Sequence, residues 1–264
     1  MGDLAAIRFE HFGPGNKGLE DWGPMPADDV IAGSPMQQGF NYFTDPAGVL
    51  SVGVWACTPM TTRPGPYSVN EFMLILEGAV TIVCQDGRET TVKAGESFVI
   101  PKGLHCSWKQ TEPIRKFYVI FDDPSGLQAA DPAALEVIRL APKGPAGCLE
   151  PVALPDLSLF GGTPPIQHIH NYFTDMTGQM TAGVWDCTPM TRKVMPFPRT
   201  ELMCLLEGAV TIVDGDGGEA HFKAGDAFLI PQGMDCGWRS SEYVRKFYCC
   251  FQPRAAAAAA VAAQ

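Results

Sequence analysis

Histidine is scarce in this chain, with five in 264 residues. Positive charge is short as well: 19 Lys and Arg face 29 Asp and Glu, for a net charge of −10. That balance argues against nucleic acid or an anionic membrane as the main partner. No stretch approaches the roughly 18 apolar residues that would suggest a membrane span. The opening residues, MGDLAAIRFEHF, have neither a basic start nor an apolar run, so no secretory signal is expected. Ala6 stands where a myristoylation motif wants Ser or Thr. The nine cysteines include no C-x-x-C pair. An odd count without a signal fits reduced thiols and a cytoplasmic location better than a disulfide framework.

What is present is a globular composition, 46% apolar and 18% charged, with 28 Gly and 23 Pro that suit short strands and tight turns. It is also a tandem repeat. LEGAVTIV occurs at 76–83 and at 206–213, and NYFTD at 41–45 and 171–175. A shift of 130 aligns residues 41–121 with 171–251 without a gap, and 43 of the 81 positions are identical. This period is too long for a solenoid, so each copy is expected to be a domain. The expected organisation is an N-terminal arm (1–40), a first barrel (41–123), a linker (124–165), a second barrel (166–253) and an Ala-rich tail (254–264). In the linker, DPAALEVIRL predicts a short helix with Asp131 as N-cap and Pro132 at its first position. The tail has high helix propensity and suits a docked or fraying terminal helix.

Within a copy the pattern is all-β. SVGVWACTP, EFMLILEGAVTIV, TTVKAG, SFVIP and IRKFYVIFD are strand-like runs, separated by turn signals such as Asp86-Gly87 and Ala94-Gly95. Several runs are apolar on both faces, which suits a two-sheet barrel whose outer face packs on a partner. NEFMLILEGAVTIV, KAGESFVIPKG and RKFYVIF resemble the cupin fold, a small jelly-roll barrel, and the second copy carries TELMCLLEGAVTIV, KAGDAFLIPQG and VRKFYC. GVWACTPM and GVWDCTPM are similar to the branch that holds ureidoglycine aminohydrolase and the ethanolamine-utilisation cupins. The resemblance implies two tandem jelly-roll barrels, a bicupin, and a dimer or larger assembly. Cupins host many chemistries, so fold alone does not imply activity.

In metal-dependent cupins, two His, a Glu and a later His hold a divalent ion. Carried over by spacing, the Glu is Glu71 and Glu201, but residues 61–70 and 191–200 contain no His, and the later ligand position is Cys106 or Cys236. No cofactor is therefore expected, with Mn, Fe, Ni or Zn on an unusual ligand set (Glu201, His168, His170, Cys236) left open. A buried Cys is more often a small apolar filler than a ligand. Strand parity puts Trp108 on the same side as Cys106 and turns His105 away. His168 and His170 alternate on one strand face but have Gln38 and Phe40 as counterparts.

The better candidates are those both copies keep. Glu71 and Glu201 are expected to pair with Lys116 and Lys246, because a buried carboxylate needs a partner or a proton. This pair reads either as an acid/base centre or as a structural ion pair. Trp55, Met73, Cys106, Trp108 and Tyr118, with Trp185, Met203, Cys236, Trp238 and Tyr248, would form apolar cups with a few polar groups. Where the copies differ, Arg63, Tyr67 and Asn70 precede Glu71, whereas Arg192, Lys193 and Arg199 lie ahead of Glu201. The extra positive charge could receive an anionic substrate. The expectation is a protein that binds a small polar or anionic metabolite, used by a metal-independent isomerase, lyase or hydrolase, by a non-catalytic sensor, or by a metalloenzyme of unusual ligand set.

Overall fold

The computed structural model describes residues 4–127, 129–154 and 156–254. Each copy forms two antiparallel sheets facing one another. In the first barrel the large sheet runs, in spatial order, Ile138–Leu140, Ser97–Ile100, Asn70–Glu77, Ile114–Phe121, Leu50–Cys57, Met36–Thr44 and Glu20–Pro24. Its small sheet runs Glu89–Lys93, Ala79–Cys84, His105–Gln110, Met60–Thr62 and Val30–Gly33, with Gly65–Pro66 also paired to His105–Gln110. The second barrel repeats this plan. Its large sheet is Ile7–Phe9, Ala227–Ile230, Thr200–Glu207, Val244–Phe251, Met180–Cys187, Gln167–Thr174 and Glu150–Pro151. The chain thus folds as two tandem jelly-roll barrels, as its sequence leads one to expect.

The strand sequences differ because their surroundings do. Ala79–Cys84 alternates, with Val80, Ile82 and Cys84 inward and Thr81 toward solvent, as a strand with one wet face should. Asn70–Glu77 is buried at Asn70 through Met73 and at Ile75, with Leu74 and Leu76 half-buried, so both of its faces are covered. Its Met73 and Ile75 fill the barrel interior, while Phe72 packs in a separate core between the two large sheets. That second core holds Val52, Val54, Phe117 and Phe121 from one barrel against Val184, Leu202, Phe247 and Phe251 from the other. The repeat mates Phe121 and Phe251 meet there with ring centroids 5.0 Å apart. At ~1.5–3 kcal/mol per fully buried large apolar side chain, this interface rivals a barrel interior in its contribution.

The linker departs from expectation. Asp131 does cap a turn, its Oδ1 accepting from the Ala133 N–H at 3.1 Å, but the helix is a single 3-10 turn, Pro132–Ala134. Residues beyond it form the strand Ile138–Leu140, paired with Ser97–Ile100 through Ile138–Val99 and Leu140–Ser97. An open sheet edge offers hydrogen bonds and apolar cover that a ten-residue helix lacks. The arm is likewise built into the sheets: Ile7–Phe9 pairs with the second barrel's Ala227–Ile230, and Met36–Thr44 runs through the boundary placed at residue 40. The two added edge strands are therefore exchanged, each preceding one barrel and completing the other. Nothing can be said of the terminal helix expected in the Ala-rich tail, because residues 255–264 lie outside those described. Among the described residues no helix is long and apolar enough to cross a membrane.

Candidate functional site

Each barrel closes around one buried ion pair. Neighbouring strands Asn70–Glu77 and Ile114–Phe121 bring Glu71 and Lys116 inward on the same face. Lys116 Nζ donates to Glu71 Oε1 at 2.7 Å and lies 3.1 Å from Met73 Sδ. In the second barrel Lys246 Nζ donates to Glu201 Oε1 at 2.7 Å and lies 3.1 Å from Met203 Sδ. All four charged side chains are buried. Two tryptophans flank each ammonium. Lys116 lies 4.8 Å from the Trp55 ring centre and 4.6 Å from that of Trp108, and the two rings meet edge to face. Lys246 lies 4.9 Å from Trp185 and 5.2 Å from Trp238. Cation–π attraction of this kind reaches ~2 kcal/mol when desolvated. The indoles are held in turn: Trp55 Nε1 donates to Gln37 (3.1 Å), Trp185 Nε1 to Gln167 (3.3 Å), and Trp108 Nε1 to Gln110 (2.6 Å). Tyr118 and Tyr248 lie over Gly53 and Gly183, where a Cβ would come within 2.5 Å of either phenol oxygen.

The second oxygen of each glutamate separates the two cups. Tyr67 donates its phenolic O–H to Glu71 Oε2. Burial, then the Glu71 charge, raises the Tyr67 phenol well above its ordinary range, so it stays a donor. In the second barrel Phe197 stands at the position of Tyr67, and Arg199 Nε donates to Glu201 Oε2 at 3.0 Å. Burial opposes charge on Glu201, but Lys246 and Arg199 together outweigh it and hold the carboxyl down at about 2. The cavities follow suit. The first, about 480 Å³, is lined by Trp55, Tyr67, Cys106, Trp108 and Lys116, with Arg63, Asp28 and Asp29 toward its mouth, while Glu71 lies behind. The second, about 410 Å³, is lined by Glu201 itself with Arg192, Arg199, Lys246, Trp185, Met203, Trp238 and Tyr248. Its charged lining residues are three cations and one carboxylate.

Most of the residues anticipated from sequence converge. Met73 and Tyr118 sit behind the first cavity, and Cys236 behind the second. Burial pushes the Cys106 thiol up to about 11, with Cys84 adding to the shift. Cys236 is raised too, again first by burial. His168 and His170 do not reach the cup: their Nδ1 atoms face Asp186 (2.8 Å) and Glu150 (3.3 Å). His221 pairs with Thr211 at the surface, and His11 packs edge-on to Phe117. Tyr67 as the partner of Glu71 escaped sequence reading, as did Gln37 and Gln167. The two glutamines are themselves 130 residues apart, so carrying the repeat upstream of residue 41 would have found them.

The metal that the cupin resemblance implies needs several convergent donors. Here both oxygens of each glutamate are already engaged by protein groups. Among the described residues no group of three or more His, Cys, Asp or Glu could hold an ion. These residues do not fit a metal centre.

Comparison with known proteins agrees with this architecture. The family of EutQ-like cupin domains matches residues 44–118 and 174–248. The chain belongs to that family. Among solved structures it is similar to a protein of unknown function from Pseudomonas syringae pv. tomato (TM-score 0.75, 25% identity, covering 94% of this chain and 100% of that one). It also resembles Ylba from E. coli (TM-score 0.56, 11% identity, covering 97% and 93%) and a cupin 2 conserved barrel domain protein from Leptotrichia buccalis (TM-score 0.53, 9% identity, covering 92% and 100%). The last two likenesses speak to fold alone. Among curated proteins, none matches the sequence.

Proposed function

We propose that the second barrel binds a small anionic metabolite, a carboxylate in particular, with Arg199, Arg192 and Lys246 as its receiving charges. The observation that carries this reading is Arg199. It enters the cavity beside Glu201 and leaves the lining with two more cations than anions. A guanidinium presents paired N–H donors that match a carboxylate, and apolar walls around a few polar groups are the usual make-up of a small-ligand site. The overall acidic balance makes such a ligand a better partner than nucleic acid.

Glu201 serves this reading best as a counter-ion. A carboxylate held at about 2 between two cations is a weak base and is not a proton donor near neutrality. Any catalysis in this cup would then run through Lys246 and Arg199, which could stabilise negative charge that develops on the ligand. The test is a calorimetric and thermal-shift comparison of acetate, oxalate and ureido acids with their neutral amides. Wild type is expected to bind a carboxylate and ignore its amide, and Arg199→Ala to bind at least tenfold more weakly. Equal binding of acid and amide, or an Arg199→Ala protein that binds like wild type, would overturn the proposal.

A further inference from the structure

Both barrels place a lysine ammonium against the glutamate that the fold family gives to its metal, and they do so with the same geometry. Nζ is 2.7 Å from the carboxylate and 3.1 Å from a methionine sulfur in each, with two indole faces around it. An ammonium carries three N–H donors. One goes to the carboxylate and one faces the thioether. The third has no hydrogen-bond partner among the described residues, and Lys116 and Lys246 both line their cavities. A metal in an enzyme site offers positive charge and an open coordination position. This ammonium offers positive charge and an unspent donor.

We infer that Lys116 and Lys246 are resident cations that take the place of a divalent metal in each barrel, with the third N–H as the docking position for an oxygen of the ligand. The glutamate then acts as the anchor of the ammonium, and the two indole rings around it hold it in place beside the cavity. The docking half of this inference rests on the anion reading of the cup. The replacement half does not, because it concerns the protein without ligand.

Nitrogen-15 NMR of the lysine ammonium groups in metal-stripped full-length protein separates the two halves. Two slowly exchanging ammonium signals are expected, one lost in Lys116→Met and the other in Lys246→Met, with Lys→Arg variants as the assignment if Met is not tolerated. Equimolar Mn²⁺ should leave both signals unbroadened. Saturable broadening at one equivalent, abolished by Glu71→Gln or Glu201→Gln, would overturn the replacement. So would the absence of any protected ammonium signal in wild type. Acetate should then shift the Lys246 signal. If a carboxylate binds by calorimetry yet leaves that signal unmoved, the third N–H is not the docking position.

Discussion

The two cups share a lysine, a glutamate, a methionine and two tryptophans, and differ in what holds the second glutamate oxygen. The first uses a phenol and hides the carboxylate behind it. The second uses a guanidinium and leaves the carboxylate in the cavity wall. The change spans two positions, Tyr67 to Phe197 and Val69 to Arg199. The common part is thus a buried charge pair, and the variable part differs in what each cup presents to a ligand. A phenol adds no charge, whereas a guanidinium turns the balance positive.

The largest effect should come from breaking what the cups share. Lys116→Ala and Lys246→Ala each leave a buried carboxylate short of its main partner and should cost about 3–5 kcal/mol in urea unfolding. A loss under about 1 kcal/mol in either would show that the pair does not support that barrel. Tyr67→Phe gives the first cup the second cup's ring at this position and removes a hydrogen bond to a charged group. About 2 kcal/mol is expected, with carboxylate binding in the second cup unchanged.

Acid sharpens the contrast next. Glu201 has its folded pKa depressed from 4.5 to about 2, so its contribution is present above pH 4.5 and lost as pH falls toward 2. One proton linked in this window is worth up to about 1.4 kcal/mol per pH unit. Stability measured between pH 4.5 and 2 should fall less steeply in Glu201→Gln than in wild type, and an unchanged slope would remove the depressed carboxyl. Transferring the guanidinium comes next: Val69→Arg with Tyr67→Phe should raise carboxylate affinity in the first cup about tenfold, or about 1.4 kcal/mol. No gain would mean that Arg199 depends on more of its own barrel. The smallest difference is expected at the indole props. Gln110→Ala should cost about 1 kcal/mol more than Ser240→Ala, since Trp108 donates at 2.6 Å and Trp238 at 3.4 Å, and Gln110 Nε2 also donates to the Cys57 and Thr58 carbonyls.

Much of this was legible beforehand, for identifiable reasons. The 130-residue period and the contrast between alternating and doubly apolar strands carry the fold, because burial on one or both faces writes itself into the sequence. The Glu–Lys pair was legible because inward parity brings two opposite charges into an apolar barrel. The pairing of Tyr67 with Glu71 was hidden because Tyr67 lies in a Pro-Gly-Pro-Tyr-Ser stretch that reads as loop, and its repeat mate lacks the hydroxyl. The strand Ile138–Leu140 was hidden because local propensity favours helix, while its partner edge lies some 40 residues upstream. Exchange of edge strands leaves the period untouched, so no pattern along the chain could reveal it.

That exchange has a consequence for synthesis on the ribosome. The first barrel lacks its outer strand only until residues 138–140 have emerged, shortly after its strand Ile114–Phe121. Ile7–Phe9, among the earliest residues made, must wait for Ala227–Ile230, nearly the whole chain later. A contact of such separation is slow to close and leaves an edge open to wrong partners meanwhile. The first barrel can therefore complete as residues 138–140 emerge, before the second barrel's strands from Gln167 on are made, whereas the second is closed by a strand that has waited since the start of synthesis.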